Sequence, residues 1–237
     1  MNNLKPIAHV DLSGSVRDAI EGAIVECELA PGTHLVDRHL AAMLNVSRTP
    51  VRDALRQLEP LGLVRRQGRG AMAGWVVAEF RESDVHELFE LRRLFEPLGL
   101  VRLSAQWDDE LTHRLATFFD DFSFPLERTD YEDYLRRDRA FHKAIVTNSG
   151  NSRVIHFYEI MEKQMDRIRH FLATGYEGRM ERIEAEHQAL CDAIAAQDVD
   201  AAVAALTHHL RQGEEAMIVF AHARGLLVDD LQGDGST

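Results

Sequence analysis

Asp138 and His142 lie four residues apart in "RRDRAFHKAIVTNSGN", so on a helix both side chains project from one face toward the same point. Two further imidazoles can join them. His187, in "EAEHQALCDAI", has Ile183, Leu190, Cys191 and Ile194 at helical spacing on its own side, which sets it beside the apolar stripe of its helix. In "AALTHHLRQG", His209 falls one turn from Leu206 and Gly213, whereas His208 neighbours Ala204, Arg211 and Gln212, and this favours His209. One carboxylate and three imidazoles from three helices form a ligand set suited to Zn, Ni, Mn or Fe, with coordination positions left open for a small molecule. A bundle histidine taken singly is more often a core or surface residue; the combination carries the reading.

A different chemistry stands in "NVSRTPVRDALRQLEPLGLV", residues 45–64. Arg48, Arg52 and Arg56 follow one another by single turns, interspersed with Val51, Leu55 and Leu58. Such a helix packs on one face and meets something anionic on the other. Between positions 48 and 69, six arginines (Arg48, Arg52, Arg56, Arg65, Arg66, Arg69) face only Asp53 and Glu59, a local balance of +4. The net charge of −12 hides this patch. Residues 1–80 carry nine Lys/Arg and nine Asp/Glu, whereas residues 81–237 carry eighteen and thirty, so the whole deficit lies in the second part. Positive charge concentrated in this way binds phosphate, and arginine is the best bidentate partner of a guanine edge.

The elements that must position these groups can be read in order. The chain of 237 residues, 45% hydrophobic, has room to bury a core as one large or two smaller domains. It contains no apolar run of the roughly 18 residues a membrane span needs, and its first 30 residues lack the order of a secretory signal, so a cytoplasmic protein is expected. Cys27 and Cys191 are expected to be reduced, buried small residues. Helical spacing of Val16, Ile20, Ala23, Ile24 and Cys27 predicts a helix over 12–27, ended by "APG". A short helix over 37–44 leaves through Asn45. Ser47 then caps a second helix with Pro50 in its first turn. "RRQGRGAMAGWVV" reads as a small hairpin with a tight turn around Gly68 and Gly70 and Arg69 at its tip. Together these make a winged helix-turn-helix, whose second helix enters a major groove.

From residue 81 onward the periodicity is helical throughout. Ser83 is expected to cap a helix to about 106, followed by helices over 108–122, 130–148, 151–173, 178–196 and 199–224, with Gly150, Gly175 and Asp198 at the joints. The fold class is therefore mainly α: an N-terminal winged helix-turn-helix with a small β-hairpin wing (1–80), an all-α antiparallel helical bundle (81–228) and a disordered tail (229–237).

The stretch "PGTHLVDRHLAAMLNVSRTPVRDALRQLEPLGLV...GRG" resembles the DNA-binding domain of GntR-family bacterial transcription regulators over about residues 10–78. The resemblance implies that Arg38, Arg48, Thr49 and Arg52 reach base edges, with Ser47 beside them, and that Gly68, Arg69 and Gly70 form the wing tip. The segment "AMAGWVVAEF" departs from the family pattern by a few extra residues. "DRAFHKAIVTNSGN", "EHQALCDAI" and "HHL" resemble, in order and spacing, the FCD ligand-binding domain of the FadR subfamily over about residues 82–225. This implies that Asp138, His142, His187 and His209 carry a divalent metal ion that helps hold a small carboxylic acid. It also makes Arg92, in "ELFELRRLFEP", the family's inward arginine and a carboxylate clamp, although Arg92 could equally be solvated. Asn151 is either a cavity residue of the effector site or a helix cap.

The function expected is that of a metabolite-responsive repressor: a homodimer on a double-stranded DNA operator with inverted half-sites, released by a small organic acid bound at the metal. A regulator for which the ion itself is the signal is the alternative. A metal-dependent hydrolase is the further one, but it would not need the winged helix, and no general base stands beside the metal set.

Overall fold

Val16, Ile20 and Ile24 recur every four residues, and that row becomes the buried face of α1 (Leu12–Val25). The computed structural model describes residues 12–68, 74–105, 107–172 and 177–228. Arg69 and Gly70 at the expected wing tip, Gly175 at an expected joint, and the tail 229–237 lie outside them. The chain divides into two units, Met1–Glu79 and Phe80–Thr237.

In the first unit, α1 ends short of Cys27, which takes a positive φ of 56° and is half-buried rather than buried. The strand β1 (His34–Leu35) leads into α2 (Asp37–Met43) and α3 (Arg48–Leu58). Asn45, at φ 52°, turns the chain between the two helices. Asparagine tolerates this left-handed backbone better than most residues. Ser47 occupies the N-cap position of α3, but its hydroxyl makes no capping hydrogen bond. Val51, Ala54, Leu55 and Leu58 are buried, and α3 packs on α1. Strands β2 (Val64–Gln67) and β3 (Gly74–Val77) pair antiparallel, with β1 on the far side of β3. Arg66 stands directly opposite Trp75 and lays its guanidinium 4.6 Å from the centre of the indole, which helps hold the register. The register ends with Gln67 opposite Gly74. Of the tight turn expected around Gly68 and Gly70, Gly68 takes a positive φ of 86° and the rest lies outside the described residues.

The second unit comprises α4 (Glu82–Ser104), α5 (Asp109–Ala116), a 3-10 turn at Arg128–Asp130, α6 (Tyr131–Thr147), α7 (Ser152–Leu172), α8 (Glu177–Ala195) and α9 (Val199–Ala223). The helix α9 packs along α4 and α8, and α6 packs on α4 and α7. Asp108 and Asp198 cap α5 and α9 by accepting from the backbone N–H groups of Leu111 (2.7 Å) and Ala201 (3.0 Å). At the start of α4 the capping contact is made by Asp84, which accepts from the Arg81 N–H at 2.9 Å, and not by Ser83. The helix expected over 108–122 stops at Ala116. Beyond it Phe118 and Phe119 both reach the Phe141 ring, at 5.2 and 5.1 Å, whereas adjacent helical positions point about 100° apart. Nor is this unit wholly helical. Gly225, at φ 61°, ends α9, and Leu227–Val228 (β5) then pairs in parallel with Phe80–Arg81 (β4).

One close approach positions the interior. A Cβ at Gly99 on α4 would stand 3.0 Å from the Ile145 carbonyl oxygen and 3.3 Å from the Val146 Cα on α6. Three residues earlier on each helix, Glu96 and His142 face one another across the same contact. Replacing Gly99 by Ala improves helix propensity by about 1 kcal/mol but overpacks a backbone contact at a cost of about 1–3 kcal/mol. Gly99→Ala is therefore expected to lower the midpoint of urea unfolding, and Gly99→Val to lower it further. A raised midpoint for Gly99→Ala would show that the two helices part freely at this point.

Candidate metal centre and DNA-reading face

On α6, Tyr134, Asp138 and His142 follow at four-residue intervals and are all buried. His187 arrives from α8 and His209 from α9, both nearly inaccessible. One ligand atom from each of Asp138, His142, His187 and His209 lies within 4.8 Å of the others. Asp138 Oδ1 stands 3.0 Å from His187 Nε2, 3.4 Å from His142 Nε2 and 3.8 Å from His209 Nε2. The Nε2 atoms of His142 and His209 are 3.1 Å apart.

The outward nitrogen of each ring is held by a separate partner. His142 Nδ1 meets Glu96 Oε2 at 2.7 Å, His187 Nδ1 meets the Tyr134 hydroxyl at 2.6 Å, and His209 Nδ1 meets Glu186 Oε2 at 2.9 Å. With Nδ1 committed outward, every Nε2 is turned toward Asp138. Glu96 is itself anchored: its Oε1 accepts from Arg92 Nε at 2.6 Å and from the Tyr158 hydroxyl at 3.0 Å. Glu186 is held by both terminal nitrogens of Arg179.

Burial opposes the charge on Asp138, yet His142 and His187 outweigh it and hold the carboxyl well below its usual range. Burial pushes His187 down, and it pushes His209 down further with the help of His187 and His142. His142 is the exception: burial is overcome by the adjacent Glu96 carboxylate, and its pKa rises.

These groups fit a divalent cation on two counts. Asp138 Oδ1 and His187 Nε2 are buried and close, but they are not aligned as a hydrogen bond, and neither has another hydrogen-bond partner. Buried polar atoms in that state are costly, and a cation accepting their lone pairs removes the cost. The Nδ1 partners supply the outer hydrogen bonds that orient metal-binding imidazoles. Beside the set lies a cavity of about 40 Å³ to which Asp138, His209, Arg92, Arg169 and Arg179 all contribute. Arg92 is buried, and its Nη2 has no hydrogen-bond partner. Asn151 is placed elsewhere. Its Oδ1 accepts from the Arg153 and Val154 N–H groups at 3.2 and 3.3 Å, so it caps α7 and does not line this cavity.

In the first unit, Arg38, Ser47, Arg48, Thr49, Arg52 and Gly68 are exposed. The positive patch is smaller than the residue count implied, because three of its arginines are shared with acids. Arg48 donates to Asp37 at 2.8 Å and holds that carboxyl below its usual range, Arg65 meets Glu79 at 2.6 Å, and Arg56 meets Asp53 at 3.3 Å. Arg52 comes only to 3.9 Å of Asp37.

The profile described as bacterial regulatory proteins, gntR family, matches residues 12–73, and that of the FCD domain matches residues 87–212, more than half of the chain. The chain belongs to the GntR family, with an FCD domain. Among its relatives, an HTH-type transcriptional regulator from Streptomyces ambofaciens is 30% identical over 79% of this chain and 77% of its own length. The gluconate operon transcriptional repressor of Bacillus licheniformis is 28% identical over 77% and 79%. The HTH-type transcriptional repressor RspR of Escherichia coli is 25% identical over 82% and 83%. Two solved structures share the fold at a TM-score of 0.67: E. coli McbR/YncC, with 19% identity over 89% of this chain and 99% of that one, and a GntR regulator from Rhodococcus, with 22% over 87% and 97%. The three sequence relatives are named as transcriptional regulators or repressors. No described helix is long and apolar enough to cross a membrane.

Within this GntR regulator the FCD match contains all four candidate ligands and Arg92, and the gntR match contains the exposed arginines of α2 and α3. Glu96, Tyr134, Tyr158, Arg179 and Glu186 were not singled out from the sequence. A signal existed for three of them: Arg92–Glu96, Tyr134–Asp138 and Arg179–Ile183–His187 are each separated by single four-residue steps. Glu96 is fully buried against Arg92, and removing one member of such a pair strands the other. Glu96→Ala is expected to cost about 3–5 kcal/mol in urea unfolding, and the exposed control Glu87→Ala less than about 0.5 kcal/mol.

Proposed function

We propose that this GntR regulator is a homodimeric repressor whose operator affinity is set by a small carboxylic acid held beside a divalent metal ion, Zn, Ni, Mn or Fe, on Asp138, His142, His187 and His209. The observation that carries the reading is the convergence of three Nε2 atoms on Asp138 with each Nδ1 tied outward. Bound there, the ion supplies a fixed positive charge with coordination positions open to a carboxylate. Arg92, whose Nη2 faces no protein acceptor, is the clamp for the acid's second oxygen. Repression is supported by the relatives named as repressors of the gluconate operon and as RspR.

Operator reading is assigned to Arg38, Ser47, Arg48, Thr49 and Arg52 at the exposed ends of α2 and α3, with the wing tip Gly68, Arg69 and Gly70 against the backbone. A dimer is supported by α4, where Leu91, Leu94, Leu98 and Val101 follow at alternating steps of three and four and all are exposed, Leu94 at 59%. That is the seam spacing of paired helices, and a second copy presents the same stripe. Binding of the acid in the bundle alters the spacing of the two recognition helices and weakens operator binding.

Arg52→Ala is expected to cost roughly 1–3 kcal/mol of operator affinity and to relax one base position per half-site in a competition assay over substituted operators. Uniform weakening over all sequences would reduce Arg52 to a phosphate contact. Wild-type protein is expected to carry one metal ion per chain by elemental analysis and His187→Ala far less, and only the metal-bearing protein should release operator when small carboxylates are added. Equal metal content in both would remove His187 from the site. Release by added metal without any acid would make the ion itself the signal.

A further inference from the structure

The second unit holds another cavity, on the outer side of His187, about 370 Å³ in volume and so within the range that takes a small organic molecule. Its walls are Phe119, Phe122, Phe124 and Tyr134. Phe122 and Phe124 stand at 77° and 86° to the Tyr134 ring, with centroids 5.0 and 5.9 Å from it, so the rings turn their faces in different directions around one corner. Phe119 lies stacked on His187 at 4.2 Å, and His187 also lines this cavity while its Nε2 faces Asp138 on the other side.

Besides His187 and Gln188, the charged residues in the lining of this cavity are both acids. Asp120 and Glu184 line it, and no lysine or arginine does so among its described lining residues. Neither carboxylate has an ion-pair partner among the described residues, and Arg137 of α6 is committed to Asp121 at 2.8 Å, to the Phe118 carbonyl and to one side of the Phe122 ring, 5.6 Å from its centre. Glu184 and Cys191 lie on one face of α8, two turns apart, with Gln188 between them, and the Gln188 amide is turned to Asp192 at 2.8 Å. The cavity by Asp138 and His209 is the opposite case, with three arginines in its lining.

Aromatic faces and unpaired carboxylates are together the surroundings that suit a cation with an apolar coat. The ring quadrupole attracts the charge, the carboxylates neutralise it, and neither demands a hydrogen bond from it. We infer that the cavity walled by Phe119, Phe122, Phe124 and Tyr134 is a second ligand site, separate from the metal centre, that takes a small organic ammonium ion with Asp120 and Glu184 as its counter-charges.

The test uses the full chain and three molecules of one shape: choline, the neutral alcohol in which carbon replaces the choline nitrogen, and the carboxylate built on that carbon skeleton. The quaternary nitrogen has no lone pair to give a metal and the neutral alcohol carries the same hydroxyl, so a preference for choline over the alcohol does not arise from metal ligation. By calorimetry, choline is expected to bind roughly tenfold more tightly than the neutral alcohol, a difference of about 1.4 kcal/mol, and the carboxylate should not enter this cavity. Asp120→Asn with Glu184→Gln should remove the preference for choline while leaving the alcohol's affinity unchanged. Both positions are at least partly exposed, so the fold should survive. Arg169→Ala, in the other cavity, should leave choline binding as it is. Equal affinity for choline and the alcohol, a preference that survives the loss of both carboxylates, loss of choline binding in Arg169→Ala, or no choline binding at millimolar concentration would each overturn the assignment. Metal content unchanged in the Asp120→Asn, Glu184→Gln protein keeps this result distinct from the metal reading.

Discussion

A carboxylate with no access to water has to be paired, and Glu96 is paired three ways, with Arg92, Tyr158 and His142. Much of the FCD interior follows from that requirement. Arg92 and Glu96 are one turn apart on α4, Tyr158 comes from α7 and His142 from α6, so a single buried anion fixes the mutual register of three helices. The absence of a side chain at Gly99 lets α4 and α6 come close enough for the contact to form. The same anion also turns His142, because an imidazole with Nδ1 bound to a carboxylate must point Nε2 the other way. Buried charge of this kind adds little net stability over an apolar core, but it penalises any other arrangement heavily.

Glu186 and Tyr134 repeat the device at His209 and His187. Two of the three partners are carboxylates and one is a neutral phenol, and their effects differ. A carboxylate beside His142 raises its proton affinity against burial, whereas His187, bound to a neutral phenol, follows burial downward. His209 has an acid at Nδ1, but Arg179 on that acid and two neighbouring imidazoles leave burial dominant. Arginines do similar work at the cavity edge, where Arg92 and Arg179 each join a carboxylate that orients a histidine to the lining of the cavity beside Asp138. In the winged helix the balance is reversed: its arginines are exposed or half-buried, and the acids beside them, Asp37, Asp53 and Glu79, hold some of them in place. Exposed pairs of this sort are worth little and are easily exchanged for a phosphate or a base.

What the sequence by itself determined is what depends on neighbours in the chain. Helical rows such as Val16, Ile20 and Ile24, the turn at Asn45, the joint at Asp198, and the four-residue step from Asp138 to His142 are local consequences of side-chain size, backbone freedom and the helical repeat. Family motifs extended that reading to the winged helix and the FCD bundle. Tertiary structure alone decided the rest. Phe118 and Phe119 leave the helical path because a shared partner, Phe141, lies on another helix, and Leu227 and Val228 become a strand because Phe80 and Arg81 offer them an edge. Arg66 lies over the Trp75 indole because strand pairing sets the two residues opposite one another. Asn151 could have faced a cavity or a helix end, and only the direction of α7 settles it as a cap. Glu96 reads as an ordinary acid in an acidic helix until α6 and α7 close over it, because burial and pairing across helices are properties of the packed chain and have no period along it.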